Sequence, residues 1–436
     1  MGCDEGNPVR VVSTQAVTSQ ATAHEPGSAG ATSRPRRIAL YSHDSVGLGH
    51  VRRNLLLAGR LAAHGHDVLL VSGTPEAGSM LRPPQTDIVT LPALHKDAQG
   101  AYRARHLSLD LQELQALRRD ILTSALIAFA PDLLIVDRHA RGFLGELEPA
   151  LEALPTTRVV LGLRDVLDTP ARVRQEWQQR ATVAALERWY DEVWVYGDAA
   201  LIPPLAAAGI VSPVPVRPVG YLRALRPEGP RTEVATDGQP YVLCTVGGGT
   251  DGVGLAVDVL EAGPPPGHRL VLVTGPQMPD DDQQRLAARV EQRSDVLLYR
   301  FVHDLPSLLE AAAAAVIMGG YNTVCEALAT STPTLVLPRE QPRLEQRIRA
   351  DALAARGMLD VLPTGGDNRM LLRDWLCRSV TQPRRRRHGI DLDGLIRVAQ
   401  RVRALTDLET VAAGSPAASR TAPLRAVDQG AQHVAV

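Results

Sequence analysis

Short apolar runs alternate with helical stretches through most of this chain, and that alternation is its strongest structural constraint. In the first half the runs fall at 38–41, 68–71, 88–91, 133–136, 159–163 and 193–196, each bounded by turn residues. Continuous apolar runs of four or five residues read as strands buried on both faces, the pattern of a parallel sheet. Helical stretches such as 51–64 and 107–129 lie between most of them. In the second, Leu107, Leu111, Leu114, Leu117, Ile121 and Leu122 recur every three or four positions, which predicts one apolar stripe.

The alternation stops over 213–240, where Pro213, Pro215, Pro218, Pro227, Pro230 and Pro240 cluster, and then resumes. The second series of strands is expected at 241–246, 270–273, 296–299, 315–318, 334–337 and 359–362. Alternation of this kind implies βαβ units with right-handed crossovers. The sequence therefore predicts an α/β protein of two Rossmann-like, doubly wound domains facing a central cleft. The boundaries are a disordered leader 1–36, a first domain 37–222, a linker 223–240, a second domain 241–410 and a flexible tail 411–436. Open α/β sheets bind ligands beyond the carboxyl ends of their strands. Two such edges on one cleft would bring two substrates face to face.

Composition narrows the function classes. Lys and Arg total 47 against 48 Asp and Glu, a formal net charge of −1, which argues against a general nucleic-acid binder. Lys96 is the single lysine, so no Gly-Lys-Ser/Thr phosphate loop exists and one candidate remains for Schiff-base chemistry. Cys3, Cys244, Cys325 and Cys377 fit neither zinc-site nor redox-pair spacing. With no apolar run near the roughly 20 residues of a membrane span and no signal-peptide core, a cytoplasmic location is expected.

The residues expected to carry chemistry sit at strand ends. After the first strand comes His43-Asp44-Ser45-Val46-Gly47-Leu48-Gly49-His50. Gly47 and Gly49 permit a tight turn and a close approach of backbone to ligand. His50 falls at a helix N-terminus, where the positive dipole end favours the neutral imidazole, a proton acceptor. After the first strand of the second series come Gly247, Gly248 and Gly249, whose backbone N–H groups suit a diphosphate. Met318-Gly319-Gly320-Tyr321-Asn322-Thr323 repeats the strand, glycine and helix order. Asn322 or Thr323 is expected to cap that helix, and Glu326, one turn in, could accept hydrogen bonds from two ribose hydroxyls. Glu345 and Gln346 follow the next strand in a polar cluster suited to sugar hydroxyls. In the first half, Asp137-Arg138-His139 and Arg164-Asp165 end strands and should face the cleft, with pairing of Arg164 to Asp165 or another loop acid as the structural alternative.

Two further clusters read as structural. Asp280-Asp281-Asp282 looks like a metal triplet but suits the start of a helix. The basic run 384–387 reads as a solvated linker, with weak peripheral contact to anionic lipid as its functional alternative.

Together these residues carry a resemblance over about 37–378. The Gly-x-Gly-His turn, the triple glycine and the Gly-Gly-x-Asn-Thr-x-x-Glu-Ala-Leu-Ala…Pro-Thr-Leu-Val-Leu-Pro…Glu-Gln pattern resemble glycosyltransferase family 28. The likeness is to the peptidoglycan N-acetylglucosaminyltransferases and more to a set of predicted bacterial glycosyltransferases. It implies the GT-B fold and a metal-independent hexosyltransferase that uses no cofactor. The donor would be a nucleotide-sugar, of the UDP type, and the acceptor a small-molecule or lipid-linked hydroxyl. Residue by residue, it places Gly247, Gly248 and Gly249 at the diphosphate and Glu326 at the ribose. Glu345 and Gln346 fall near the donor sugar, and His50 near the reacting centre. Gly320, Asn322 and Thr323 join the donor side; Gly47, Gly49 and Arg164 join the cleft, toward acceptor or phosphate. His50 is the expected base, with Asp137 as the other candidate. The Gly-x-Gly-His-Val-x-Arg turn is also similar to nucleotide-sugar hydrolases of the same fold, and a non-catalytic nucleotide-sugar-binding protein would keep the glycines and Glu326 without needing His50.

Overall fold

The computed structural model describes residues 35–43, 47–96, 101–224, 234–363, 367–384 and 386–412. Nearly all of the expected leader, the tail from 413, Asp44 to Val46 of the first glycine turn, and 225–233 of the expected linker lie outside these residues.

Two parallel sheets account for the strand pattern. The first has seven strands in the order Thr86–Thr90, Asp67–Ser72, Arg37–Ser42, Leu133–Asp137, Arg158–Arg164, Glu192–Tyr196 and Val216–Pro218. The second has six, in the order Val296–Tyr299, Arg269–Val273, Tyr241–Thr245, Ala314–Ile317, Thr334–Val336 and Asp360–Val361. Every pairing within them is parallel, as the doubly buried runs require. Alternate residues serve opposite faces. Ala39, Tyr41, Leu134 and Val136 point into one core with Leu122 and Leu126 of the helix Leu111–Phe129. Ile38, Leu40, Leu133 and Ile135 point into the other, under the helix Gly49–Ala62.

The helix expected from 107 begins at Leu111. Asp110 caps it, accepting from the backbone N–H of Gln112 and Glu113, while Glu113 reaches back in a capping box. That cap leaves Leu107 outside the helix and exposed, and Leu117 is exposed as well. The buried face is Leu114, Arg118, Leu122 and Leu126. Arg118 is admitted because Glu146, equally buried, takes its Nε at 2.7 Å and its Nη2 at 2.8 Å.

Three elements escaped the sequence pattern. A hairpin pairs Leu94–Lys96 with Tyr102–Ala104 at the cleft mouth. The strand Val216–Pro218 occupies the first sheet's edge inside the proline-rich break, where a missing N–H costs no ladder bond. The helix Gly394–Ala412, assigned to the second domain by the boundary 241–410, packs on the first instead. Leu395, Val398, Val402 and Leu405 join the core beneath Gly49–Ala62, and the Arg36 guanidinium donates to the Thr406 carbonyl at 2.9 Å. The chain therefore crosses between domains twice. Leading into the second crossing, Arg384 and Arg387 spend their donors on backbone carbonyls of Ala311, Ala312, Ala327 and Thr332, a structural use for the basic run.

The sheets meet over a buried clasp. Arg349 of the second domain donates to Asp165 of the first at 2.7 to 3.0 Å, both side chains closed to solvent. The Tyr221 hydroxyl adds a bond to Asp165 at 2.9 Å. No described helix is long and apolar enough to cross a membrane.

Candidate active site

The carboxyl ends of both sheets open onto one cleft of about 550 Å³, within the size range of ligand pockets. Its first-domain wall carries His43, Gly47, His50, Arg138, His139 and Arg164, and its second-domain wall the 247–251 turn, Gln277, Asn322, Thr323, Glu345 and Gln346. The strand-end residues named from sequence are thus brought together, with three exceptions set back from the surface: Asp137, Glu326, and Asp165, which is buried in the clasp with Arg349.

Gly47 stands at φ +79°, the left-handed region that glycine enters freely. The turn delivers Gly49 and His50 to the first turn of Gly49–Ala62. His50 Nδ1 lies 3.2 Å from Asp137 Oδ2 and 2.9 Å from the Arg53 guanidinium. Arg53 is in turn ion-paired to Asp137, and both are buried. The two partners make opposite demands on Nδ1: the carboxylate accepts a proton from it, whereas the guanidinium donates one to it. Burial alone would raise the Asp137 pKa, but Arg53 and then His50 win and hold it well below the carboxylate range. A buried, permanently ionised group behind the imidazole orients it and is a poor proton acceptor, so the geometry leaves little to the alternative of Asp137 as base.

His43 and His139 lie beside this group with ring centroids 4.5 Å apart. Burial first, then neighbouring positive groups, push both well below the usual histidine range, so they sit neutral. Arg138, between Asp137 and His139, takes φ +68°, a left-handed conformation that a side chain adopts only under constraint.

On the opposite wall, Gly249 has φ +96°, and a Cβ there would come within 2.3 Å of the Thr274 carbonyl. Tight packing against the next loop therefore explains this glycine without a ligand. Gly247, at φ +70°, has open space where its Cβ would be. Gly320 rather than Asn322 or Thr323 is the N-cap of Tyr321–Leu328, and no side chain caps it. The first-turn N–H groups therefore keep no side-chain acceptor. Asn322 instead donates to the Gly49 carbonyl at 3.0 Å, so the N-termini of two helices, one per domain, abut. Glu326 is buried beneath Arg52, which donates to it at 2.8 Å; burial raises its pKa and Arg52 offsets part of the rise. Arg339 ties Glu345 at 3.0 Å, and its backbone N–H donates to Gln346 Oε1 at 3.1 Å.

The pairing of Arg164 with Asp165 does not form, because Asp165 is committed to Arg349. Gln277 and Arg52 were missed in the sequence. The signal for Gln277 was a Gly-Pro turn closing the strand Arg269–Val273; for Arg52 there was none beyond its place in the first helix turn. Asp280, Asp281 and Asp282 open the helix Asp280–Val290 as expected, and among the described residues no group of His, Cys, Asp or Glu is placed to hold a metal ion.

Two Rossmann-like domains with a cleft between their carboxyl edges are the GT-B architecture. Comparison with solved structures agrees. The calicheamicin glycosyltransferase superposes with a TM-score of 0.55 at 16% identity over 90% of this chain and 100% of its own. The spinosyn forosaminyltransferase gives 0.55 at 19% identity over 87% and 100%, and the glycotransferase of kitacinnamycin 0.53 at 16% over 88% and 100%. No family model and no curated protein matches the sequence.

Proposed function

We propose that the protein transfers a sugar from a nucleotide-sugar of the UDP type to a hydroxyl acceptor. One observation carries this. Gln277 Oε1, Asn322 Oδ1, Glu326 Oε2 and Glu345 Oε2 are buried with no hydrogen-bond partner among the described residues. All belong to the second domain, on or just beneath its wall of the cleft. An unmet buried acceptor costs about 1–3 kcal/mol. Four together fit a ligand rich in hydroxyl donors, which a ribose and a hexose supply.

The nucleotide would lie along that wall, with Glu326 on the ribose and Glu345 and Gln346 on the sugar. Phe301, Val302 and Leu305 give the same cleft apolar surface suited to a base. The Gly248 N–H and the uncapped start of Tyr321–Leu328 would take the diphosphate charge, with the Gly247 N–H, which donates to Thr245 Oγ1 at 3.4 Å, able to turn to it as well, a role that calls for no metal. The acceptor hydroxyl would come from the first domain. With Asp137 rather than Arg53 engaging Nδ1, Nδ1–H donates to the carboxylate and Nε2 keeps its lone pair for the cleft. As the hydroxyl oxygen bonds to the anomeric carbon, its proton passes to Nε2. The bond from that carbon to the phosphate oxygen breaks, and the nucleoside diphosphate leaves with the electron pair. The imidazolium so formed is stabilised by Asp137. The family 28 likeness of the glycine turns is consistent with this, as is the GT-B fold.

The test is UDP release from a panel of UDP-sugars, in a metal chelator, with and without cell extract as acceptor source. Release that requires extract is expected. Equally fast release in buffer alone would make the protein a hydrolase. Nucleotide binding without release from any sugar would make it a binding protein.

A further inference from the structure

Most arginines around the cleft are matched to carboxylates. Arg53 is paired with Asp137, Arg349 with Asp165, and Arg339 with Asp251 and Glu345. Arg343 takes Glu176 at 2.9 Å and Asp168 at 3.4 Å. Two are left over. Arg164 lines the cleft and makes no ion pair or side-chain hydrogen bond with any described residue. Arg138 has only a distant claim on Glu176, at 3.6 Å, and that carboxylate already serves Arg343 and Arg180.

Arg164 and Arg138 are neighbours by construction. Arg164 ends the strand Arg158–Arg164, Arg138 follows the adjacent strand Leu133–Asp137, and the strand that feeds His50 is next in the sheet. At about 4.8 Å per strand, Arg164 stands roughly 10 Å across the sheet from the His50 strand. We propose that Arg164 and Arg138 form an anion subsite on the first-domain wall that holds a phosphate or carboxylate group of the acceptor. This rests on the assignment of the first domain to the acceptor. Each guanidinium can offer a planar pair of N–H donors to either anion. Burial, then repulsion by Arg138 and Arg53, pulls the Arg164 pKa down to about 9, and the Glu345 carboxylate offsets only part of this, so at neutral pH it keeps a charge that no ion pair takes up. An incoming anion offsets that repulsion and supplies the opposite charge. The donor diphosphate is the rival occupant, but it has its own backbone donors on the opposite wall.

The probes are UDP and inorganic phosphate, measured by calorimetry at low salt. Protein saturated with UDP is titrated with phosphate, for the wild type, Arg164→Leu and Arg138→Leu. Wild type is expected to bind phosphate in the millimolar range, and each leucine variant at least tenfold more weakly. The Kd for UDP should change less than twofold. A loss of UDP affinity equal to the loss of phosphate affinity would move Arg164 to the donor and overturn the proposal, as would phosphate binding that ignores both substitutions. If wild type binds no UDP, the nucleotide-sugar assignment fails by itself, and the same wild-type and variant comparison on ligand-free protein still decides the subsite. Arg164→Lys, which keeps the charge, should recover most of the phosphate affinity; recovery by a leucine-like variant of equal size, Arg164→Met, would count against a charge-based site.

Discussion

Arg52 of the first domain donates to Glu326 of the second at 2.8 Å, so the carboxylate proposed for the ribose already carries a cation from across the cleft. Glu326 Oε1 is taken by Arg52, while Oε2 has no partner. A nucleotide that draws on Oε1 as well as Oε2 competes with the arginine for that oxygen. The side chain of Arg52 is 34% exposed while Glu326 is buried, which puts the pair at the upper end of the roughly 0.2–1 kcal/mol of exposed pairs. Arg52→Ala should therefore tighten UDP binding by up to about fivefold. Glu326→Ala removes a charge-assisted bond worth roughly 1.5–3 kcal/mol and should weaken UDP binding at least tenfold. Calorimetry on the two variants checks both signs; unchanged affinity in Glu326→Ala would remove it from the ribose.

His50 and Asp137 separate binding from turnover. Loss of a positioned base costs about 10²–10⁴ in rate, so His50→Ala should lower kcat by that order with the UDP Kd within about threefold. Asp137→Asn should also lower kcat, because an amide no longer selects the tautomer with Nε2 free. It leaves Arg53 buried without its carboxylate as well, so a fall in the melting temperature should accompany it. Full turnover in His50→Ala would take the imidazole out of the mechanism.

The domain clasp gives a stability prediction. Asp165→Ala strands the buried Arg349 guanidinium, and breaking a buried pair from one side costs about 3–5 kcal/mol. Replacing both, Asp165→Leu with Arg349→Met, removes the charges together and should cost much less. Urea unfolding of the single and double variants decides this; a double variant as unstable as the single would mean that packing around Tyr221, rather than charge, sets the cost.

The frame and several site residues were legible in the sequence because each depends on local pattern. Doubly buried strands write themselves as apolar runs, and the turns that follow them write themselves as Gly47, Gly247 and Gly320. What could not be read was long-range partnership. Asp165 sits next to Arg164 in sequence, yet its partner lies 184 positions away, and that choice alone frees Arg164 for the cleft. The same holds for the helix Gly394–Ala412. Its apolar face is evident, but nothing local says which sheet it will cover, and only the return crossing at 386–394 places it under Gly49–Ala62. The cap of Tyr321–Leu328 was misplaced for a related reason, since Asn322 prefers a carbonyl of the other domain.

His43 and His139 should make the fold sensitive to mildly acidic pH. Burial, followed by the nearby positive groups, holds both well below the ordinary histidine range in the folded protein. In the unfolded chain each titrates near pH 6.5. Below that pH the unfolded state binds protons that the folded state refuses, so stability falls as pH falls, by about 1.4 kcal/mol per pH unit for each histidine. The carboxylates Asp137 and Glu176 work in a lower window. Burial would raise them, but adjacent arginines hold both below their usual values, so their contribution is complete above roughly pH 4 and is lost only beneath it. Urea unfolding of wild type at several pH values from about 7 to 5 should show declining stability. The double variant His43→Gln, His139→Gln should flatten that decline by up to about 2.7 kcal/mol per pH unit, while leaving the loss below about pH 4 in place. An equal slope in wild type and variant would mean that both rings accept protons in the folded protein, and so that the first-domain wall is wetter and more negative than its packing implies.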